Sequence, residues 1–169
     1  SKLHEGSKFT FELPVAAASD EYERDEIGGA AASLVKGLSF GGEYRVLVVE
    51  DNSINAEVIS LHLSQLGLLC VVVSNGLEAI EKLGCERFDL VLMDIEMPLM
   101  NGLDATREIR KFEGKPTRRD VIIIGLSAHI DNKYKDEALS IGMDDFFSKP
   151  IDMESLILKI HQTLDGDNV

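Results

Sequence analysis

Three acidic residues, a hydroxyl and a lysine stand directly after short apolar runs in this sequence of 169 residues. Glu50-Asp51 follow Val46-Leu47-Val48-Val49, and Asp94 follows Leu90-Val91-Leu92-Met93. Ser127 follows Ile122-Ile123-Ile124-Gly125-Leu126, and Lys149-Pro150 come just after Asp145-Phe146-Phe147. Carboxylates are hard oxygen ligands, and magnesium is held by one or two of them while it keeps several waters. A lysine and a hydroxyl beside such an ion suit a phosphoryl group, whose transfer depends mainly on in-line positioning and charge neutralisation. A carboxylate can be the nucleophile in that transfer. Singly, each signal is weak: an acidic pair is usually a solvated loop, and a lone Asp often caps the next helix. Their succession at the ends of consecutive apolar runs is what points to a metal-dependent phosphoryl site. Asp51 and Asp94 are then candidate direct ligands, and Glu50 a holder of metal-bound water. Lys149 and Ser127 face phosphoryl oxygens. Asp94 is the candidate nucleophile, because its strand is the most continuously apolar.

These groups meet only if the chain brings the run ends to one edge. Short apolar runs alternating with helix-like stretches predict a parallel sheet, and ligands bind where its strands end. The pattern predicts strands near 45–50, 69–73, 89–93, 121–126 and 144–148. It predicts helices near 53–66, 75–83, 102–112, 131–141 and 152–164. Asn75, Asp131 and Asp152 are expected helix caps, and Gly67 and Gly142 expected C-terminal caps. Five strand–helix pairs make a doubly wound (βα)5 unit with right-handed crossovers and helices on both faces. Periodicity alone leaves the strand order open. In the first helix, Ala56, Ile59, Leu63 and Leu66 form a core stripe. Ile54, Val58 and Leu61 form a second apolar stripe on roughly the opposite side. That second stripe either packs under neighbouring loops or is a docking patch for a helical partner.

Composition narrows the classes. The net charge is −13, of which residues 1–44 hold −4, so no basic arm offers itself to nucleic acid. No apolar run is long enough to cross a bilayer and no secretory signal is present. This predicts a cytoplasmic fragment without membrane contact. The two cysteines, Cys70 and Cys85, match no zinc or redox spacing and are expected to be buried or half-buried thiols. Lys8 to Leu13 alternate polar and apolar residues as a strand does, ending at Pro14. A lone strand cannot bury its own face, so residues 1–15 read as the tail of a preceding domain. Residues 16–43 read as an acidic Ala/Gly-rich linker, in which Leu34 and Leu38 suit a short helical turn. Residues 44–165 read as the main domain and 166–169 as a tail.

Residues 45–165 resemble the receiver domain of two-component response regulators. The matching stretches are Val48-Val49-Glu50-Asp51-Asn52, Leu92-Met93-Asp94-Ile95-Glu96-Met97-Pro98, Leu126-Ser127-Ala128 and Phe146-Phe147-Ser148-Lys149-Pro150-Ile151. The resemblance implies a flavodoxin-like fold, strand order 2-1-3-4-5. It implies Asp94 as phosphoacceptor and Glu50 and Asp51 as magnesium-binding acids, with the backbone carbonyl of Glu96 as a further ligand. It implies Ser127 as switch hydroxyl, Phe146 as switch aromatic in place of the more familiar Tyr, Lys149 as phosphate-binding lysine and a cis Lys149-Pro150 bond. Glu96 and His129, two residues past Asp94 and Ser127, fall where the family tunes phosphoryl lifetime.

Glu50-Asp51-Asn52-Ser53-Ile54-Asn55 looks most like receivers of hybrid sensor histidine kinases. Residues 5–14 resemble the last strand of a histidine-kinase ATP-binding domain. The parent chain is then a protein histidine kinase, a transferase anchored in a membrane. His4, His62, His129 and His161 lack the phosphoacceptor motif, so the donor histidine lies elsewhere. The implied partner is a histidine phosphotransfer domain or the kinase's own helical hairpin, docking on Ile54, Val58 and Leu61 of a monomeric receiver. Two other classes compete. A phosphatase with an aspartate nucleophile would use Glu96 as its second acid, but Met97-Pro98 and the upstream acidic pair fit it badly. A flavin-binding module of similar topology would need a glycine-rich phosphate loop after the first strand, where Glu50-Asp51 stand instead.

Overall fold

In the computed structural model, residues 38, 40–117, 119–128 and 132–166 are described, the side chains of 132–134 excepted. The expected strand of residues 1–15, most of the linker, the Asp131 cap and His129 lie outside the described residues. Leu38, the one member of the expected helical turn that is described, is not helical.

The chain alternates β1 (Arg45–Val49), α1 (Ser53–Gln65), β2 (Leu69–Val73), α2 (Gly76–Cys85), β3 (Leu90–Asp94), α3 (Gly102–Ile109), β4 (Ile122–Ser127), α4 (Asn132–Ser140), β5 (Asp145–Ser148) and α5 (Met153–Asp165). All strand pairs are parallel, in the order β2-β1-β3-β4-β5. This is the flavodoxin-like order that the resemblance implied. β3 is buried along its whole length, as a central parallel strand covered on both faces must be. Side chains alternate across the sheet. Leu47, Val49, Val91 and Met93 pack against Ala79 and Leu83 of α2 and Ala105 and Ile109 of α3. Val46, Val48, Leu90 and Leu92 pack against Ile59 and Leu63 of α1 and Leu156 and Ile160 of α5.

Local chemistry sets the helix ends. Asn52, Asn75, Asn101 and Asp152 each accept hydrogen bonds from backbone N–H groups of the first helical turn. Asn75 and Asp152 were legible as caps; Asn52 and Asn101 were not. Gly67 and Gly142 leave α1 and α4 in the left-handed region. α3 ends at Ile109, short of the expected 112. The last turn tightens instead: Lys111 N–H donates to the Glu108 carbonyl at 3.1 Å and Phe112 N–H to the Ile109 carbonyl at 3.0 Å, bonds of three-residue rather than four-residue span. The Arg110 guanidinium reaches the carbonyls of Gly142 and Val121 and Asp144. Cys70 is half-buried, but Cys85 is exposed at the last residue of α2, against expectation.

Gly102 is dictated by packing. A Cβ there would land on the carbonyl oxygen of Asp94 and 2.8 Å from Met93 Cγ. α3 therefore starts against the backbone of the strand end, and Gly102 N–H donates to the Ile95 carbonyl at 3.0 Å.

Candidate functional site

β1, β3, β4 and β5 release their final residues at one edge of the sheet. The Asn52 side chain accepts from Ile54 N–H at 3.0 Å and starts α1 immediately after Glu50-Asp51, which holds that pair at the edge. Glu50, Asp51 and Asp94 offer carboxylate oxygens that all lie within 4.8 Å of one another. Glu50 and Asp94 are each only 2 % exposed, whereas Asp51 opens to solvent. Lys149 reaches into the same pocket: its ammonium lies 2.7 Å from Glu50 Oε2 and 2.7 Å from Asp94 Oδ2. Its backbone N–H donates to the Ser127 carbonyl at 2.7 Å, which ties the β5 end to the β4 end. The Lys149–Pro150 peptide is cis.

One cation thus faces two buried carboxylates and stands beside a third. Burial pushes the Asp94 carboxyl above the ordinary aspartate range, and the Glu50 charge pushes it the same way. Hydrogen bonds from Lys149 and from the Glu96 N–H pull against this and do not win. Burial lowers the Lys149 ammonium, but hydrogen bonds and charge from Asp94 and Glu50 outweigh it, and the net shift is upward. The donor set is all oxygen, is over-supplied with negative charge and has one solvent-facing member. These properties fit a small hard divalent cation that keeps part of its water shell.

The remaining expected residues fall as follows. Glu96 N–H donates to Asp94 Oδ1 at 3.1 Å, so its peptide abuts the pocket while its side chain is exposed. Ser127 is fully buried at the end of β4, one residue beyond Leu126, which pairs with Asp94 in register. Phe146 pairs with Gly125 and is half-buried, its ring against that glycine: a Cβ on Gly125 would stand 3.2 Å from Phe146 Cδ2 and 2.7 Å from Met143 Sδ. Gly125 thus makes room for the ring, a role not visible in the sequence. Ile54, Val58 and Leu61 are exposed at 70 %, 44 % and 56 %, so among the described residues no loop covers them. The sequence also hid Asn55, whose side-chain amide donates to Glu50 Oε1 at 3.0 Å. The available signal was an amide in the helical turn that follows the acidic pair.

Residues 46–161 match the family model described as response regulator receiver domain. This chain belongs to the response regulator receiver family. It is 41 % identical over 116 residues, 68 % of this chain, to hybrid signal transduction histidine kinase G of Dictyostelium discoideum, and spans 3 % of that protein. With hybrid signal transduction histidine kinase K of the same organism it is 31 % identical over 166 residues, 95 % of this chain and 13 % of that protein. The receiver thus spans only a small part of these relatives. Among solved structures, the receiver domain of sensor histidine kinase PA1611 from Pseudomonas aeruginosa PAO1 is 34 % identical, with a TM-score of 0.65 over 75 % of this chain and all of that one. That structure holds a magnesium ion coordinated in its active site cleft. As a receiver, the chain is a phosphoacceptor module of two-component signalling; the phosphatase and flavin-module alternatives are not favoured. No helix among the described residues is long and apolar enough to cross a membrane.

Proposed function

We propose that this receiver takes a phosphoryl group from phosphohistidine onto Asp94, with magnesium held by Asp51 and Asp94, through water by Glu50, and by the Glu96 carbonyl. The observation that carries this reading is the convergence of three carboxylates and one lysine on a single strand-end pocket. An Asp94 carboxylate oxygen attacks phosphorus in line; the phosphorus–nitrogen bond breaks and its electron pair leaves with the imidazole nitrogen. The metal, when bound, neutralises charge on the transferring group. Lys149 offsets the remaining charge and binds a phosphoryl oxygen. Ser127 donates to another, and its movement frees Phe146 to turn, biasing the face built from α4, β5 and α5. A local charge event is so converted into a choice between two packings. Glu96 and His129, two residues past Asp94 and Ser127 in sequence, tune the lifetime of the acyl phosphate.

The parent protein in this reading is a hybrid sensor histidine kinase anchored in a membrane. The similarity to relative K extends over 95 % of this chain, in keeping with residues 1–43 belonging to such a protein; in this reading residues 1–15 are the end of an ATP-binding domain and 16–43 a linker. The exposed Ile54, Val58 and Leu61 on α1 are the docking face for a histidine-bearing helical partner, a phosphotransfer domain or the kinase hairpin. Acid substitutions at Ile54 and Leu61 slow transfer from a phosphohistidine partner and spare phosphorylation by acetyl phosphate. Equal slowing of both reactions contradicts the docking role. Asp94→Asn removes magnesium-dependent labelling by acetyl phosphate; labelling at the wild-type rate contradicts the assignment of Asp94.

A further inference from the structure

We infer that Asn55 is a positioning residue of the phosphoryl site, orienting the Glu50 carboxylate and, through it, the Lys149 ammonium. The inference rests on the reading of the acidic pocket given above.

Glu50 is one methylene longer than an aspartate, so its carboxylate has an additional torsion to fix. The backbone is tied by Glu50 N–H to the Val73 carbonyl at 3.1 Å, but that bond leaves the side chain free to rotate. Two contacts stop it. Oε1 accepts the Asn55 amide at 3.0 Å and Oε2 accepts Lys149 at 2.7 Å. An ionised carboxylate offers about four lone-pair directions. With one taken on each oxygen, the others stay available to pocket water. Lys149 is itself shared with Asp94 at 2.7 Å, so rotation of Glu50 would pull the ammonium away from the nucleophile.

The chemistry of residue 55 is specific. An amide donates without adding charge. An aspartate there would bring a fourth carboxylate to a pocket whose three already offer oxygens within 4.8 Å of one another, and a lysine would compete with Lys149. The placement is also specific: Asn55 lies in the first turn of α1, whose start is set by the Asn52 cap bonded to Ile54 N–H and Asn55 N–H. Those backbone bonds do not involve the Asn55 side chain, so its amide is spent on Glu50.

The test is a double-mutant cycle on magnesium affinity, read by NMR shift titration of the wild type, Asn55→Ala, Glu50→Ala and the double variant. Asn55→Ala is expected to weaken magnesium binding by up to roughly 10-fold, the lower end of what loss of an outer-shell partner costs, because Glu50 holds the metal through water. In the Glu50→Ala background the same change is expected to alter affinity less than about 2-fold, because residues acting through one another are not additive. An unchanged affinity in Asn55→Ala, or the same weakening in both backgrounds, overturns the inference and leaves the pocket reading standing. A wild-type chain that takes up no magnesium overturns both. Asn55→Ser, run through the same cycle, keeps the test intact if the alanine variant does not fold. A readout without metal is hydrogen exchange of the Asn55 side-chain amide, expected to be slowed in the wild type and to quicken in Glu50→Ala; unaltered exchange counts against the contact.

Discussion

The two ends of the sheet treat charge in opposite ways. At the strand N-terminal end, acids are matched to cations or donors. Glu86 takes Arg45 and Lys82, each at 2.6 Å. Asp144 takes Arg110 at 2.9 Å and the Ile123 N–H at 2.8 Å, and Asp165 takes the Tyr44 hydroxyl at 2.7 Å and the Gly41 N–H at 3.0 Å. At the strand C-terminal end, Glu50 and Asp94 share the ammonium of Lys149 while Asp51 stands beside them as a third carboxylate. Titration follows. The hydrogen bond from Lys82 holds the Glu86 carboxyl below the ordinary range, whereas burial lifts Asp94 above it. One end is arranged for the folded chain by itself; the other keeps a charge imbalance that a cation relieves. Sites of that kind are where functional groups gather.

The contrast can be broken or sharpened in four ways. Lys149→Ala leaves two buried carboxylates without their cation and should cost the metal-free protein about 3 kcal/mol. Magnesium should restore part of that loss in a urea titration. Arg110→Ala, at the matched end, removes bonds to three carbonyls and Asp144 and should cost about 2 kcal/mol. Magnesium should restore none of it; equal recovery in both variants erases the distinction. Gly102→Ala forces a methyl onto the Asp94 backbone and should cost roughly 1–3 kcal/mol, with a weakened magnesium response in the same titration.

The fourth concerns pH. The native Asp94 carboxyl binds its proton more tightly than the unfolded one, so its stabilising contribution is full below the ordinary aspartate range and is lost as pH rises through the raised value. At neutral pH the ionised group is a cost, and Asp94→Asn should raise the urea midpoint of the metal-free protein. That gain should shrink on acidification. Glu86→Gln should show the smallest change and the opposite sign, because a lowered carboxyl adds stability above its ordinary range and loses it in acid. A gain from Asp94→Asn that grows in acid contradicts the assignment.

Much of this was legible before the fold was known, and the reason is geometric. In a parallel sheet the functional groups follow apolar strands, so Glu50, Asp51, Asp94, Ser127 and Lys149 advertise themselves by position. Strand order did not follow from periodicity, since each strand–helix pair looks alike locally; it came with the family resemblance. Asn55, Gly102 and Gly125 were not legible as site residues. Their roles depend on what a neighbouring element brings close: the Glu50 carboxylate 3.0 Å from the Asn55 amide, and the Asp94 carbonyl and the Phe146 ring against the space that a Cβ would fill at Gly102 and Gly125. The end of α3 differs from the periodic pattern because its last turn switches to bonds of three-residue span, Lys111 to Glu108 and Phe112 to Ile109, which side-chain periodicity does not signal. Exposure of Ile54 and Leu61 is open in the sequence because only tertiary packing decides whether a second apolar stripe is covered.

In the proposed reading, the unbalanced pocket makes Asp94 the phosphoryl acceptor. Incubating the chain with acetyl phosphate and magnesium, then mapping the phosphorylated peptide, tests this most directly. The label should sit on Asp94, be released by hydroxylamine as an acyl phosphate, and vanish when magnesium is chelated. Label on another residue, or label indifferent to magnesium, contradicts it.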